Sequence, residues 1–442
     1  MDSQEVLKQS KKDEIRFVCL QFSDLLGVIK EVIIPVRELE RAITRGVWFD
    51  GSTIEGFARI QESDLFLKPD IATYCVVPWD SENGKTARFI CDLYKPDGNP
   101  FEEDPRFILK KALKEASNLG YEYNVGPEPE FYLFKREDQS RTTPVDEDGY
   151  FDMSSKETYD VLKEIVNTLV AFSINAEASH HEVGPGQYEI DFNYANAIDT
   201  ADRLLTLKYT VKKIAQKHGL GATFMAKPLM GLAGSGLHVH QSLFDLKTEN
   251  NLFYDSHDKY RLSKLAYSFI AGQMEHVRAL CAILCPTVNS YKRLVSGFEA
   301  PVYITWAGMN RSALIRIPKW FEQNPKSARI ELRCPDPTCN PYLAFAVMLK
   351  AGLEGIKKNM TPPEAVEENV YEFGAEELKK RNVNVLPSSL FDALSEMKNN
   401  KLVVETLGGN LLEKYVAIKA KEWDEFKTEV TPWEINKYLN IY

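Results

Sequence analysis

Four short stretches constrain this chain more than anything else in it. Each places charged or imidazole side chains two residues apart: Glu128-Pro129-Glu130, Glu182 to Glu189 across Gly184-Pro185-Gly186, His238-Val239-His240, and Arg329-Ile330-Glu331-Leu332-Arg333. In a strand, residues i and i+2 point to the same face. Each stretch therefore reads as a strand with a polar side and an apolar side. Five carboxylates (Glu128, Glu130, Glu182, Glu189, Glu331) converging with an imidazole would repel one another unless cations sat among them. The arginines beside them ask for an anion. Together these groups predict divalent metals and a phosphorylated substrate.

A chain of 442 residues is too long for one simple core, so more than one domain is expected. A formal net charge of -10 argues against a large nucleic-acid surface. No apolar run approaches the ~18 residues of a membrane span. The first residues are polar and mixed in charge, without a signal-peptide core, which predicts a cytoplasmic protein. The seven cysteines form no C-x-x-C pair and read as reduced, mostly buried thiols.

Residues 1–103 look strand-rich and read as a small first domain, and residues 104–442 as a larger second one. Arg16 to Phe22 and Val28 to Val36 are β-branched or aromatic runs joined by a short polar turn, a hairpin signal. Turn formers cluster at Pro96-Asp97-Gly98-Asn99-Pro100, and Asp104-Pro105 then supplies an N-cap and a first-turn proline for a helix ending at Gly120. Beyond it, helical stretches such as 159–170, 201–217, 262–284 and 341–356 are segregated among strands, so the class is α+β rather than doubly wound. The apolar tail from Trp433 to Tyr442 needs a surface to dock on.

Several of these groups also admit blander readings. Pro129 lacks a ladder donor and suits an edge strand or a bulge. His180 and His181, beside a turn, fit surface donors better than ligands. Glu182 is expected opposite Glu189 in a hairpin. The Gly234-Ser235-Gly236 loop could let backbone approach a phosphate, but no P-loop or Rossmann pattern accompanies it. A single Arg-Glu-Arg strand reads as a surface ion ladder. Two such segments, 310–318 and 328–336, favour phosphate recognition. The loops around Asp50, Asp64 and Glu299 look by themselves like capped turns.

The ordered motifs Gly-Pro-Glu-Pro-Glu-Phe, Ser-His-His-Glu-Val-Gly-Pro-Gly-Gln-Tyr-Glu-Ile-Asp-Phe, Gly-Ser-Gly-Leu-His-Val-His, Asn-Ser-Tyr-Lys-Arg-Leu-Val, Asn-Arg-Ser-Ala-Leu-Ile-Arg-Ile-Pro and Arg-Ile-Glu-Leu-Arg resemble type I glutamine synthetase, in its shorter, non-adenylylated branch. The resemblance runs from about Phe17 to the C-terminus. It implies an N-terminal β-grasp domain and a larger catalytic domain with a curved antiparallel sheet and flanking helices. It implies ligation of ammonia to glutamate, with ATP, through γ-glutamyl phosphate. Two or more Mg2+ or Mn2+ ions are expected per site, in a dodecamer of two hexameric rings. A nitrogen-regulatory protein is a further expected partner, and neither nucleic acid nor membrane is.

Carried over by motif, Glu130, Glu182 and Glu189 would hold one metal, and Glu128, His238 and Glu331 the second. Arg293, Arg311 and Arg333 match the arginines that clamp glutamate and the transferred phosphoryl group. Glu177, His240, Ser242, Arg316 and Arg329 match the nucleotide side. Asp50 and Asp64 of an adjacent subunit, with Glu299, match the ammonium site. The chain departs from the family at Ala233, usually Asn, which bears on glutamate affinity, and at Ser296 and Phe298. Arg59 resembles an arginine linked to glutamine feedback in the shorter branch. Two alternatives are a glutamate–amine ligase, disfavoured by the intact ammonium-site acids, and a catalytically weak regulatory paralogue, disfavoured by the complete metal set.

Overall fold

Two sheets and two hydrophobic cores organise the chain. The computed structural model describes residues 2–54, 56, 64–79, 84–136, 143–297, 300–320 and 324–442. Arg59, Phe298 and Glu299 lie outside these. The first sheet has six strands: β1 (Ile15–Ser23), β2 (Ile29–Pro35), β3 (Val47–Asp50), β4 (Asp64–Pro69), β5 (Cys75–Val76) and β6 (Lys85–Tyr94). Their order is β2-β1-β6-β4-β3, with β5 on β6. The expected β1–β2 hairpin is present, with Phe17 opposite Pro35 and Ser23 opposite Ile29. Alternate residues such as Val18, Leu20, Phe22, Leu65, Leu67, Phe89 and Leu93 build one buried cluster.

The second sheet has ten strands. They are β7 (Tyr121–Lys135), β8 (Thr143–Pro144), β9 (Ala176–His181), β10 (Gln187–Phe192), β11 (Ala195–Asn196), β12 (Leu220–Thr223), β13 (Leu237–Asp245), β14 (Trp306–Ala307), β15 (Ile315–Arg316) and β16 (Ile330–Leu332). The path runs β14-β15-β16-β13-β7-β10-β9. Only β14–β15 pairs in parallel along it. Pro129 therefore sits in a central strand, not at an edge. Its missing N–H falls where β7 changes partner: β13 pairs with residues 121–129 and β10 with residues 130–132.

Helices cover the sheet's apolar face. Asp104 caps the helix Pro105–Asn118 through its Oδ1 to the Arg106 N–H, as the Asp-Pro pair predicts. The helices Lys264–Leu284 and Pro341–Lys357 cross closely. A Cβ on Gly272 would lie 2.1 Å from the Ala351 carbonyl oxygen, so only glycine permits this approach. The cysteines are free, and all but Cys75 are buried. No helix among the described residues is long and apolar enough to cross a membrane.

One network joins the small sheet to the helices that cover the large one. Arg106 donates to Asp202 at 3.1 and 2.9 Å, to Asp92 at 2.6 Å and to Asp70 at 2.9 Å. Lys110 also reaches Asp92 at 2.7 Å, and the Tyr342 hydroxyl donates to Asp202 at 2.6 Å. Asp70 and Asp92 belong to the small sheet's strands and loops, and Asp202 to the helix Ala197–Lys217. Arg106, Asp202 and Tyr342 are buried, and their mutual pairing is what makes burial of the two charges tolerable.

Candidate active site

Cross-strand register assembles the polar faces of the four motif segments. Glu128 on β7 stands opposite His238 on β13. Glu130 on β7 stands opposite Glu189 on β10, which in turn faces His180 on β9. On the other side, His240 faces Glu331 on β16, and Glu331 faces Arg316 on β15. Directly opposed residues in an antiparallel pair lie ~5 Å apart. Segments more than a hundred residues apart in sequence thus become neighbours. Glu182 departs from the expected hairpin pairing. It sits in the turn after β9, where its N–H donates to the Gln187 carbonyl oxygen at 2.7 Å, and it is His180 that opposes Glu189.

The contacts follow from this register. His240 Nε2 lies 2.6 Å from Glu128 Oε1, and His238 Nδ1 lies 3.3 Å from Glu128 Oε2. His180 Nε2 lies 3.2 Å from Glu189 Oε1. Glu331 is fully buried and bridges Arg316, at 2.7 Å, and Arg333. Glu130 Oε2 accepts from Gln187 Nε2 at 2.8 Å and from the Gly236 N–H at 3.0 Å. A Cβ on Gly236 would lie 2.7 Å from Arg293 Nη2, so the glycine makes room for an arginine beside Glu130 and His238. Its backbone N–H is already used and does not face a phosphate.

Glu128, Glu130, His180, Glu182, Gln187, Glu189 and His238 line a cavity of about 770 Å³ together with Arg293, Arg311, Arg316, Arg333, Tyr150 and Asp191, and Glu331 is buried behind it. Arg293 is buried and donates to the carbonyl oxygens of Arg333, Cys334 and Pro335, which fixes it. Arg333 is buried too, and its Nε makes no hydrogen bond. A second cavity of about 290 Å³ shares Glu128 and Asp191 with the first and is lined by Glu177, His240, Ser242 and Arg329. Asp50 and Asp64 are paired at the end of the β3–β4 ladder, and neither lines these cavities.

Electrostatics divide the cluster. Glu128 is held well below the usual carboxylate range: burial opposes this, and His240 and His238 outweigh it. Glu331 is also held low, against its burial, by Arg333 and the two histidines. Glu189 is pushed up, first by burial and then by Asp191, Glu130, Glu128 and Glu182. Asp191 is raised by burial and by Glu128. Adding cations would relieve this repulsion. The donors are carboxylate oxygens and imidazole nitrogens, the set that hard and borderline divalent ions take. Of the four groups among the described residues with ligand atoms within 4.8 Å of one another, three lie here: Glu128, Glu189 and His238; Glu128, His240 and Glu331; His180, Glu182 and Glu189; the fourth is Asp146, Asp148 and His181. The residues fit divalent metal.

Some side chains at the site escaped the sequence reading. Asp191 shares a strand with Glu189 and lines both cavities; its i+2 spacing from Glu189 was the available signal. Tyr150 and Asn310 line the large cavity from loops and carry no periodic signal. His181 is not a surface donor. It is 1% exposed, with Nε2 3.0 Å from Asp146 and Nδ1 2.6 Å from the Glu182 carbonyl oxygen, and so tethers the turn that bears Glu182.

Residues 14–96 match the glutamine synthetase β-grasp domain, and residues 102–438 match the glutamine synthetase catalytic domain. Glutamine synthetase from Clostridium saccharobutylicum is 47% identical over 442 residues, covering 99% of each chain. That from Methanocaldococcus jannaschii is 49% identical over 451 residues, covering 99% of this chain and 98% of its own. Among solved structures, the GmaS/ADP complex (conformation 1) superposes with a TM-score of 0.89 at 31% identity, covering 98% of this chain and 99% of that one. Plasmodium falciparum glutamine synthetase superposes with a TM-score of 0.88 at 26% identity, covering 99% of both. The chain belongs to the glutamine synthetase family of ATP-dependent glutamate–ammonia ligases.

Proposed function

We propose that the large cavity carries out glutamine formation with the following division of labour. The observation that carries it is the register that brings Glu128, Glu130, Glu189, His238, Glu331 and Arg316 onto one rung-by-rung face. Glu130, Glu182 and Glu189 hold one divalent cation, Mg2+ or Mn2+, and Glu128, His238 and Glu331 a second. Bound there, such ions supply charge neutralisation at the phosphates. Glu177, His240, Ser242, Arg316 and Arg329 form the nucleotide side, four of them around the smaller cavity.

Glutamate's carboxylate is a poor acyl donor. Its γ-oxygen attacks the γ-phosphorus of ATP and ADP leaves, which gives γ-glutamyl phosphate. Arg293, Arg311 and Arg333 grip the glutamate and the transferred phosphoryl group. Their fixed positive charges are aimed where negative charge develops. Asp50 and Asp64 of a neighbouring subunit, with Glu299, hold ammonium. Asp50 takes a proton and the resulting ammonia attacks the acyl carbon, releasing phosphate. Glu299 closes the site against water.

This reading includes residues 1–103 and 104–442 as the two domains, a dodecamer of two hexameric rings, a cytoplasmic location and control by a nitrogen-regulatory protein. The position of Asp50 and Asp64 outside the chain's own cavities supports a shared site. The test is isotopic. Glutamate carrying 18O in its γ-carboxylate passes one labelled oxygen to inorganic phosphate during turnover. Unlabelled phosphate rules out the acyl-phosphate route.

A further inference from the structure

A third cavity, of about 600 Å³, lies between the small sheet and the helix Ala197–Lys217. It shares no lining residue with the two cavities of the active site. Arg88, on β6, lines it and is only 7% exposed. Its guanidinium makes no hydrogen bond or ion pair among the described residues, and its Nε is buried without a partner. The Phe172 ring lies 5.0 Å from its guanidinium, and the Cys75 thiol lies within its field. Asp202, whose field reaches Arg88, has both oxygens committed to Arg106 and Tyr342. Glu31 also lines the cavity but lies beyond ion-pair distance of Arg88.

A buried guanidinium carries several donors and a permanent charge. Proteins seldom leave such a group unpaired, because burial removes its hydration without replacing it. The rest of the lining suits a particular partner. Lys213 adds positive charge, while Lys217 is taken up by Glu164 at 2.6 Å, so Arg88 and Lys213 face the single lining acid, Glu31. Trp79 meets Phe172 and Tyr209 edge-on, each at 5.3 Å, forming an aromatic wall beside the arginine. The volume lies within the range of small-molecule sites.

We propose that this cavity binds a small organic carboxylate, its head forked onto Arg88 and its carbon body against Trp79 and Tyr209. The planar fork of arginine matches a carboxylate in two parallel hydrogen bonds. The aromatic wall covers the apolar part. The site is independent of the ligase chemistry and needs no catalytic residue.

Benzoate is the probe, with benzamide as its neutral counterpart, and titration calorimetry on the full-length assembled protein is the measurement. Benzoate is expected to bind once per chain, and benzamide about tenfold more weakly or less, as loss of a charged hydrogen bond implies. Arg88→Gln should lose binding by a similar or larger factor. Lys213→Glu, on an exposed helix position, should weaken benzoate several-fold in a protein that folds normally, by reversal of a nearby charge. A crystal structure with benzoate should show its carboxylate on Arg88. Equal binding of benzoate and benzamide overturns the proposal, as does benzoate affinity unchanged by Lys213→Glu. Binding that survives Arg88→Gln but is abolished by Arg333→Gln places the probe in the active site and overturns it. So does an assembled structure in which a neighbouring chain's side chain fills the cavity.

Discussion

Two regions of this molecule bury charge, and they do so in opposite ways. Around Arg106, the carboxylates of Asp70, Asp92 and Asp202 each meet a cation within 3 Å. In the active site, Glu128 and Glu331 find histidines and arginines, but Glu189 and Asp191 are pushed toward their protonated forms, first by burial and then by the other carboxylates around them. The first region is complete in itself and joins the small sheet to the helices of the larger domain. The second is complete only when cations join it. A cluster whose own charges compensate marks architecture, and one whose charges do not compensate marks a binding site.

The sharpest way to break this comparison is to remove the cation from the complete network. Arg106→Gln leaves three carboxylates without their central partner. It should cost about 3–5 kcal/mol of stability, read as a lower urea midpoint, while the protein that remains folded keeps its turnover per molecule. Normal stability would show that the network is not what holds the small sheet to the helices.

The converse change belongs in the active site. Glu130→Gln or Glu331→Gln should lower turnover by roughly a hundredfold or more, because the cations that neutralise the phosphates lose a ligand. For Glu130→Gln, stability should change far less than in Arg106→Gln. Near-normal turnover at limiting Mg2+ or Mn2+ would remove that residue from the metal set.

A pH series sharpens the contrast within the structural region. Burial and the nearby Asp92 push Asp104 up to about 7. Its folded form therefore holds a proton more tightly than the unfolded chain does. The stability this adds is complete below about pH 4 and is lost as the pH rises through about 7. Asp104→Asn cannot titrate. Between pH 4 and 7 the wild type should lose more stability than the variant, by on the order of 1 kcal/mol or more. Parallel curves would show that Asp104 does not titrate in this range.

The smallest effect concerns Ala233, which lines the large cavity and whose carbonyl oxygen accepts from the Tyr132 hydroxyl at 2.7 Å. Its side chain offers no hydrogen bond. Ala233→Asn should lower the glutamate KM by about threefold to tenfold, the worth of one neutral hydrogen bond, and leave ATP binding alone. An unchanged KM would show that this position does not limit glutamate binding. A gain of activity toward bulky amines would favour the amine ligase.

Local signals in the sequence were readable where one segment settles its own structure. The Asp104-Pro105 helix start and the β1–β2 hairpin both stand where capping and alternation put them. The i+2 spacing placed Glu128 with Glu130, and His238 with His240, on one strand face each. Three expectations failed because they depended on partners distant in sequence. Pro129 is central because β13 and β10 hand over at that residue. Glu182 occupies a turn because the β9–β10 register pairs Glu189 with His180. His181 is buried because Asp146, thirty-five positions earlier, closes over it.

The sequence alone determined the polarity of each strand face and the inventory of carboxylates, imidazoles and arginines, since a period of two is a property of one segment. Tertiary structure alone decided which of those groups meet. Glu128, His238 and Glu331 come together only through the pairing of β7 with β13 and of β13 with β16, and no single segment encodes that register. The same limit applies to Arg88. In sequence it is one arginine in an apolar run. Only packing of the small sheet against a distant helix buries it beside Phe172 and leaves its guanidinium without a carboxylate.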